Sequence, residues 1–142
     1  MPLPSLSLVL GGAASGKSRF AEGLVTGSGA GPVYVATAQA RDAEMAARIA
    51  AHRAGRAAAG WRTVEEPLDL PRVLAGIAPH EAALIDCATL WLTNLMLSDA
   101  DIPAAEAALW PALSACAGPV VVVTNEVGQG IVPETPLGRR FR

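Results

Sequence analysis

The sequence is short of the residues that build stapled scaffolds: its 142 residues include only two cysteines and two histidines. Cys87 and Cys116 each lie in or beside an apolar segment and form no CxxC or other metal-spaced set. That excludes a disulfide framework and a zinc ribbon, and reads as two buried free thiols in a cytoplasmic protein. A long apolar run is also missing, and the N-terminal MPLPSLSLVLGGAASGKS lacks the basic n-region of a signal peptide. No membrane span is expected. Nor is there a strong charge of one sign. A net charge of −2 gives no global reason to expect nucleic acid or an anionic membrane as partner.

What the chain has is apolar substance. At 51% hydrophobic and 17% charged it can bury a core. Its length suits one domain over residues 1–142, without an internal repeat. Apolar runs predict strands at Leu6–Leu10, Val33–Thr37, Arg62–Glu65, Ala83–Asp86 and Val120–Asn125. LSLVL, ALID and VVVV do not alternate with polar residues, as expected of parallel strands buried on both faces. Helical stretches at Lys17–Val25, Asp42–Arg53, Leu70–Ile77, Thr89–Leu97 and Ala104–Ala115 lie between them. Asp69, before Leu70 and Pro71, reads as a helix cap, and Thr26–Pro32 and Leu97–Pro103 read as loops. The fold class is α/β, a mainly parallel sheet flanked by helices.

Residues 11–18 read GGAASGKS, which fits G-x-x-x-x-G-K-[ST] between a predicted strand and a predicted helix. Glycines let successive backbone N–H groups turn inward on a phosphate chain. The following helix adds its positive end, Lys17 a mobile cation, and Ser18 a hydroxyl for Mg²⁺. A second acidic group for Mg²⁺ is expected on a neighbouring strand, and Asp86 after Ala-Leu-Ile meets that need; its competing reading is a helix cap. The architecture is therefore a P-loop NTPase fold, RecA-like. The D-x-x-G and N-K-x-D patterns of GTPase switches are absent, and the chain is short for a motor. A small-molecule kinase or nucleotidyltransferase remains.

One further segment carries chemistry. AARIAAHRAGR, residues 46–56, places His52 on an Ala-rich helix beside Arg53 and Arg56. Neutral imidazole is a good nucleophile near neutral pH and a good leaving group once protonated, and these cations with Lys17 suit charge developing on phosphate oxygens. His80, in Ala-Pro-His-Glu, has no such company and reads as a surface residue. Met45 and Ile49 read as packing residues of the same helix, and Trp61 is equally compatible with the core or with stacking on a ring. Asn125 and Glu126 end an apolar strand before a glycine loop, a position that favours an active-site role. Arg139, Arg140 and Arg142 read as an exposed helix face.

With GGAASGKS, the segments YVATAQ, MAARIAAHRAGRAAAGWRTVEEP, TNL and TNEVGQGIVPE resemble the bifunctional adenosylcobinamide kinase / adenosylcobinamide-phosphate guanylyltransferase family of cobalamin biosynthesis. The resemblance runs from about Leu8 to Arg142. It implies a kinase step on adenosylcobinamide, with ATP or GTP as donor. A GMP transfer from GTP to adenosylcobinamide phosphate comes next, through a GMP–histidine intermediate. It puts the guanylylated histidine at His52 and the P-loop cation at Lys17. It implies nucleotide contacts at Gly11, Gly12, Ala13, Ala14, Ser15, Gly16, Lys17, Ser18, Ala36, Thr37, Ala38, Arg53, Ala54, Gly55, Arg56, Glu65 and Asp86, with Mg²⁺ on Ser18 and Asp86. It also implies a homo-oligomer, a trimer. Ala14 stands where the family often has a basic residue, and Asp86 where glutamate is common. The family usually continues past the position of Arg142 with a further helix and strand, which this chain is expected to lack. Two alternatives stay open: a monofunctional P-loop kinase with a structural His52, and a nucleotide-binding regulatory module.

Overall fold

The computed structural model describes residues 3–11 and 16–125. Within them five strands form one parallel sheet: β1 (Leu6–Gly11), β2 (Gly31–Ala36), β3 (Arg62–Glu65), β4 (Glu81–Asp86) and β5 (Val120–Asn125). Five helices connect them: α1 (Lys17–Gly27), α2 (Ala43–Ala58), α3 (Leu70–Ala75), α4 (Ala88–Leu97) and α5 (Ile102–Ala115). The strand order is β1-β5-β4-β2-β3. The acid-bearing β4 is therefore not the neighbour of β1 that the sequence suggested, because β5 lies between them.

The unbroken apolar runs have a direct cause. Along β2, Val33 and Val35 pack on one face with Leu70, Leu74, Trp91 and Leu113, while Tyr34 and Ala36 pack on the other with Ala21, Val25 and Trp61. The same alternation divides Val120 and Val122 from Val121 and Val123 in β5. Each fully buried valine contributes roughly 1.5–3 kcal/mol relative to exposure. A strand covered on both faces keeps a polar side chain only where that side chain finds a partner, as Thr124 of β5 does in Thr89 at 2.6 Å.

Aspartates set three helix starts. Asp42, Asp69 and Asp101 accept from the amides of Met45, Arg72 and Ala104 at 2.7, 3.2 and 3.1 Å. Asp101 moves the start of α5 to Ile102, so the expected loop Leu97–Pro103 contracts at both ends, as does Thr26–Pro32. Thr37 falls just outside β2. The largest departure is α2, which runs to Ala58 and buries none of its residues. Met45 and Ile49 are half-exposed there, not core. Trp61 resolves the other way and is buried. Both cysteines are free thiols, Cys87 buried and Cys116 half-buried. Among the described residues no helix is long and apolar enough to cross a membrane.

Gly118, ahead of β5, shows how closely the layers approach. A Cβ there would stand 1.9 Å from the backbone carbonyl oxygen of Glu81, at the start of β4. Gly118→Ala is therefore expected to cost about 3 kcal/mol or more. Gly23→Ala, in open space on α1, is expected to gain roughly 0.5–1 kcal/mol. Urea unfolding of both variants checks this; equal midpoints would contradict it.

Candidate active site

Because every strand runs the same way, Gly11, Ala36, Glu65, Asp86 and Asn125 all end on one edge of the sheet. That edge is where open α/β sheets bind ligands. A cavity of about 370 Å³ opens there, lined among others by Ser18, Tyr34, His52, Arg56, Asp86 and Cys87. The Ser18 hydroxyl donates to Asp86 Oδ2 at 3.1 Å, joining the start of α1 to the end of β4. The Tyr34 hydroxyl donates to the same oxygen. Tyr34 is largely buried, and burial followed by the Asp86 charge pushes its phenol well above the ordinary value. It is a donor throughout the working pH range.

His52 reaches the cavity through helical spacing. Met45, Ile49, His52 and Arg56 follow one another at four, three and four residues and share one face of α2. Ile49, His52 and Arg56 of that face line the cavity. His52 is exposed, and no described side chain pairs with it. Arg56 is stacked over the Tyr34 ring, its Cζ 3.7 Å from the centroid.

Other expected contacts lie apart from this cavity. Arg53 is turned about 100° around α2 from His52 and pairs with Glu65 at 3.0 Å, an exposed bridge. Ala54 and Gly55 are exposed and do not line the cavity. Lys17 follows the same rule on α1: next to Ser18, it opens onto a separate cleft of about 430 Å³ with Gly16 and Phe20. Ala36 and Ala38 line the cavity, but Thr37 between them is fully buried. Its hydroxyl oxygen accepts from the Cys87 amide at 2.9 Å and lies 2.9 Å from the Cys87 carbonyl, clasping the cis Asp86–Cys87 peptide. Gly11 ends β1, and Gly16 caps α1 with φ 75°, a backbone shape that favours glycine. Gly12, Ala13, Ala14, Ser15, Glu126, Arg139, Arg140 and Arg142 lie outside the described residues. His80 is exposed at a turn, as expected.

Tyr34, Glu22, Ile49, Cys87 and Leu90 line the cavity without having been singled out for it. For Ile49 the signal was its spacing from His52. Tyr34 gave none, since a tyrosine in a strand reads as core. Cys87 caps α4 by accepting from the Leu90 amide at 3.3 Å, and burial raises its thiol pKa, which fits a packing role.

A hydroxyl and a carboxylate 3.1 Å apart are hard oxygen donors of the kind Mg²⁺ takes. Among the described residues there is no cluster of three or more His, Cys, Asp or Glu that could hold a metal. The set fits a cation held partly by nucleotide phosphates.

Fold and site together define an α/β enzyme of the P-loop nucleotide-using class. Comparison gives the family: residues 7–142 match the model described as cobinamide kinase / cobinamide phosphate guanyltransferase. The chain is 50% identical over 137 residues to the bifunctional adenosylcobalamin biosynthesis protein CobP of Pseudomonas aeruginosa, covering 94% of this chain and 79% of that one. It is 46% and 45% identical over 151 residues to the proteins named CobU of Escherichia coli and Salmonella typhimurium, covering 95% of this chain and 82% of each. The chain belongs to the cobinamide kinase / cobinamide phosphate guanyltransferase family.

The loops beside the cavity are fixed from α4 and from Glu66. Asn94 donates to the carbonyls of Thr37 and Pro67 at 2.7 and 3.0 Å. Glu66 accepts from the amides of Leu68 and Asp69 at 3.1 and 3.0 Å. Burial pushes its carboxyl pKa up, but those two amides and Arg72 together outweigh it and hold it below the usual 4.5. A depressed carboxylate stabilises the fold fully above its unfolded pKa and loses that contribution as pH falls through the folded value. Wild type is expected to exceed Glu66→Gln in urea midpoint near neutrality, with the gap closing below about pH 4.5. A gap that stays constant down to acid pH would contradict the assignment.

Proposed function

We propose that this chain phosphorylates adenosylcobinamide and then transfers GMP from GTP to the resulting phosphate through a covalent intermediate on His52. The observation that carries the reading is the shared cavity, where Ser18 and Asp86 of the phosphate side meet His52 and Arg56 of α2. In the first step a nucleoside triphosphate, ATP or GTP, lies along the P-loop residues Gly11 to Ser18, and Lys17 meets its terminal phosphates. Ser18 and Asp86 would hold Mg²⁺, which when bound neutralises phosphate charge. The γ-phosphoryl group passes to the aminopropanol hydroxyl of adenosylcobinamide.

In the second step a His52 ring nitrogen attacks the α-phosphorus of GTP. A P–N bond forms, the bond to the β-phosphate oxygen breaks, and pyrophosphate leaves. Arg56 meets the negative charge growing on the non-bridging oxygens. A phosphate oxygen of adenosylcobinamide phosphate then attacks the same phosphorus. The P–N bond breaks toward the protonated imidazole, giving adenosyl-GDP-cobinamide. Arg53 and Glu65, which the resemblance assigns to the nucleotide, serve by bracing α2 against β3; their exposed bridge is worth under about 1 kcal/mol.

Incubation with GTP labelled at the α-phosphorus is expected to give an acid-labile adduct on the wild-type enzyme. His52→Ala should lower its rate of formation by at least about 100-fold. The kinase step, which does not use the imidazole, should persist. Equal labelling of His52→Ala and wild type would overturn the nucleophile assignment.

A further inference from the structure

The Tyr34 side chain belongs to both halves of the cavity. Its hydroxyl donates to Asp86 Oδ2, the oxygen that also accepts from Ser18. Its ring carries the Arg56 guanidinium on one side, at 3.7 Å. Trp61 meets it edge-on, with centroids 5.9 Å apart and planes at 76°. Trp61 is itself tied to α2, since its amide donates to the Arg56 carbonyl at 2.9 Å. These contacts matter because α2 buries none of its own residues. A helix without a buried face is placed by the few contacts it does make.

We infer that Tyr34 is the positioning residue that joins the two halves of this site: its hydroxyl orients Asp86 beside Ser18, and its ring holds Arg56 and with it the helix presenting His52. The inference rests on the proposed roles of Asp86 and His52 and adds the link between them. A carboxylate oxygen that accepts two hydrogen bonds is fixed in rotation, so its partner oxygen is presented in one orientation. An arginine stacked through its face keeps its edge donors available for phosphate oxygens. The Arg56 Nε is buried without a partner among the described residues, as a donor awaiting such an acceptor would be.

Two substitutions separate the two contacts. Tyr34→Phe keeps the ring and removes the hydroxyl; Tyr34→Leu removes both. Binding of a fluorescent β,γ-imido GTP analogue, titrated with Mg²⁺, reads the hydroxyl. Tyr34→Phe is expected to need about tenfold more Mg²⁺ for half-maximal binding. Hydrogen exchange of the α2 amides reads the ring. It should match wild type in Tyr34→Phe and speed up at least about tenfold in Tyr34→Leu, which also labels more slowly with GTP than Tyr34→Phe. Should Tyr34→Leu not fold, Arg56→Ala removes the stack without touching the sheet and should give the same exchange result. An unchanged Mg²⁺ requirement in Tyr34→Phe overturns the hydroxyl's role. Unchanged α2 exchange in Tyr34→Leu or Arg56→Ala overturns the ring's. Labelling of His52→Ala at the wild-type rate would instead sink the nucleophile assignment, while the Mg²⁺ and exchange measurements go on testing Tyr34.

Discussion

A parallel sheet has to be covered on both faces, and in this protein that requirement decides where polar chemistry can sit. Valines of β2 and β5 point alternately into two cores, so these strands admit a polar group only where it is paired, as the Tyr34 hydroxyl is with Asp86 and the Thr124 hydroxyl with Thr89. Chemistry is confined to where the strands stop. Since all five run in one direction, they stop together, and Asp86, Ala36 and Glu65 come level on one edge. α1 starts at that edge and meets Asp86 through Ser18. A rigid sheet thus fixes the acid and the hydroxyl of the phosphate side at the same time.

The side that carries the proposed nucleophile is built differently. α2 carries His52 on a helix that contributes nothing to either core and is held by capping at Asp42, by Arg53 on Glu65 and by Arg56 on Tyr34. A helix so placed can present its imidazole to the cavity without first breaking core packing. In the proposed two-step reaction this arrangement divides a fixed phosphate site from an adjustable nucleophile.

Much of this was legible in the chain because buried parallel strands leave an unmistakable residue pattern. ALID and VVVVTN fall on the buried β4 and β5 to within two residues. LSLVL falls on β1, an edge strand among the described residues, which was expected to be buried on both faces but exposes Leu6, Leu8 and Leu10. That Ser18 and Asp86 would come together was equally readable, since a G-x-x-x-x-G-K-[ST] motif and an acid at a strand end are both placed on the same sheet edge. Three things were not readable. Strand order depends on which crossover skips a neighbour, so the interposition of β5 left no local trace. Arg56, in the part of α2 beyond the expected end at Arg53, stacks on the Tyr34 ring, a contact across 22 positions that no local pattern announces. The division of Arg53 from His52, and of Lys17 from Ser18, arises from helical rotation, which a linear motif compresses into adjacency. Alternation at the end of a strand does the same for Thr37: between two cavity-lining alanines, it points inward to clasp the Cys87 backbone.

The central claim is that a phosphate-binding edge and a nucleophilic histidine act on nucleotide within one cavity. Mapping the covalent adduct tests it most directly. The protein would be treated with GTP, kept at alkaline pH to preserve a phosphoramidate, digested, and its modified peptide fragmented by mass spectrometry. The account predicts a single GMP group on the ring of His52, removed by mild acid. A GMP group on Lys17 or His80, or a treated protein carrying none, would contradict it.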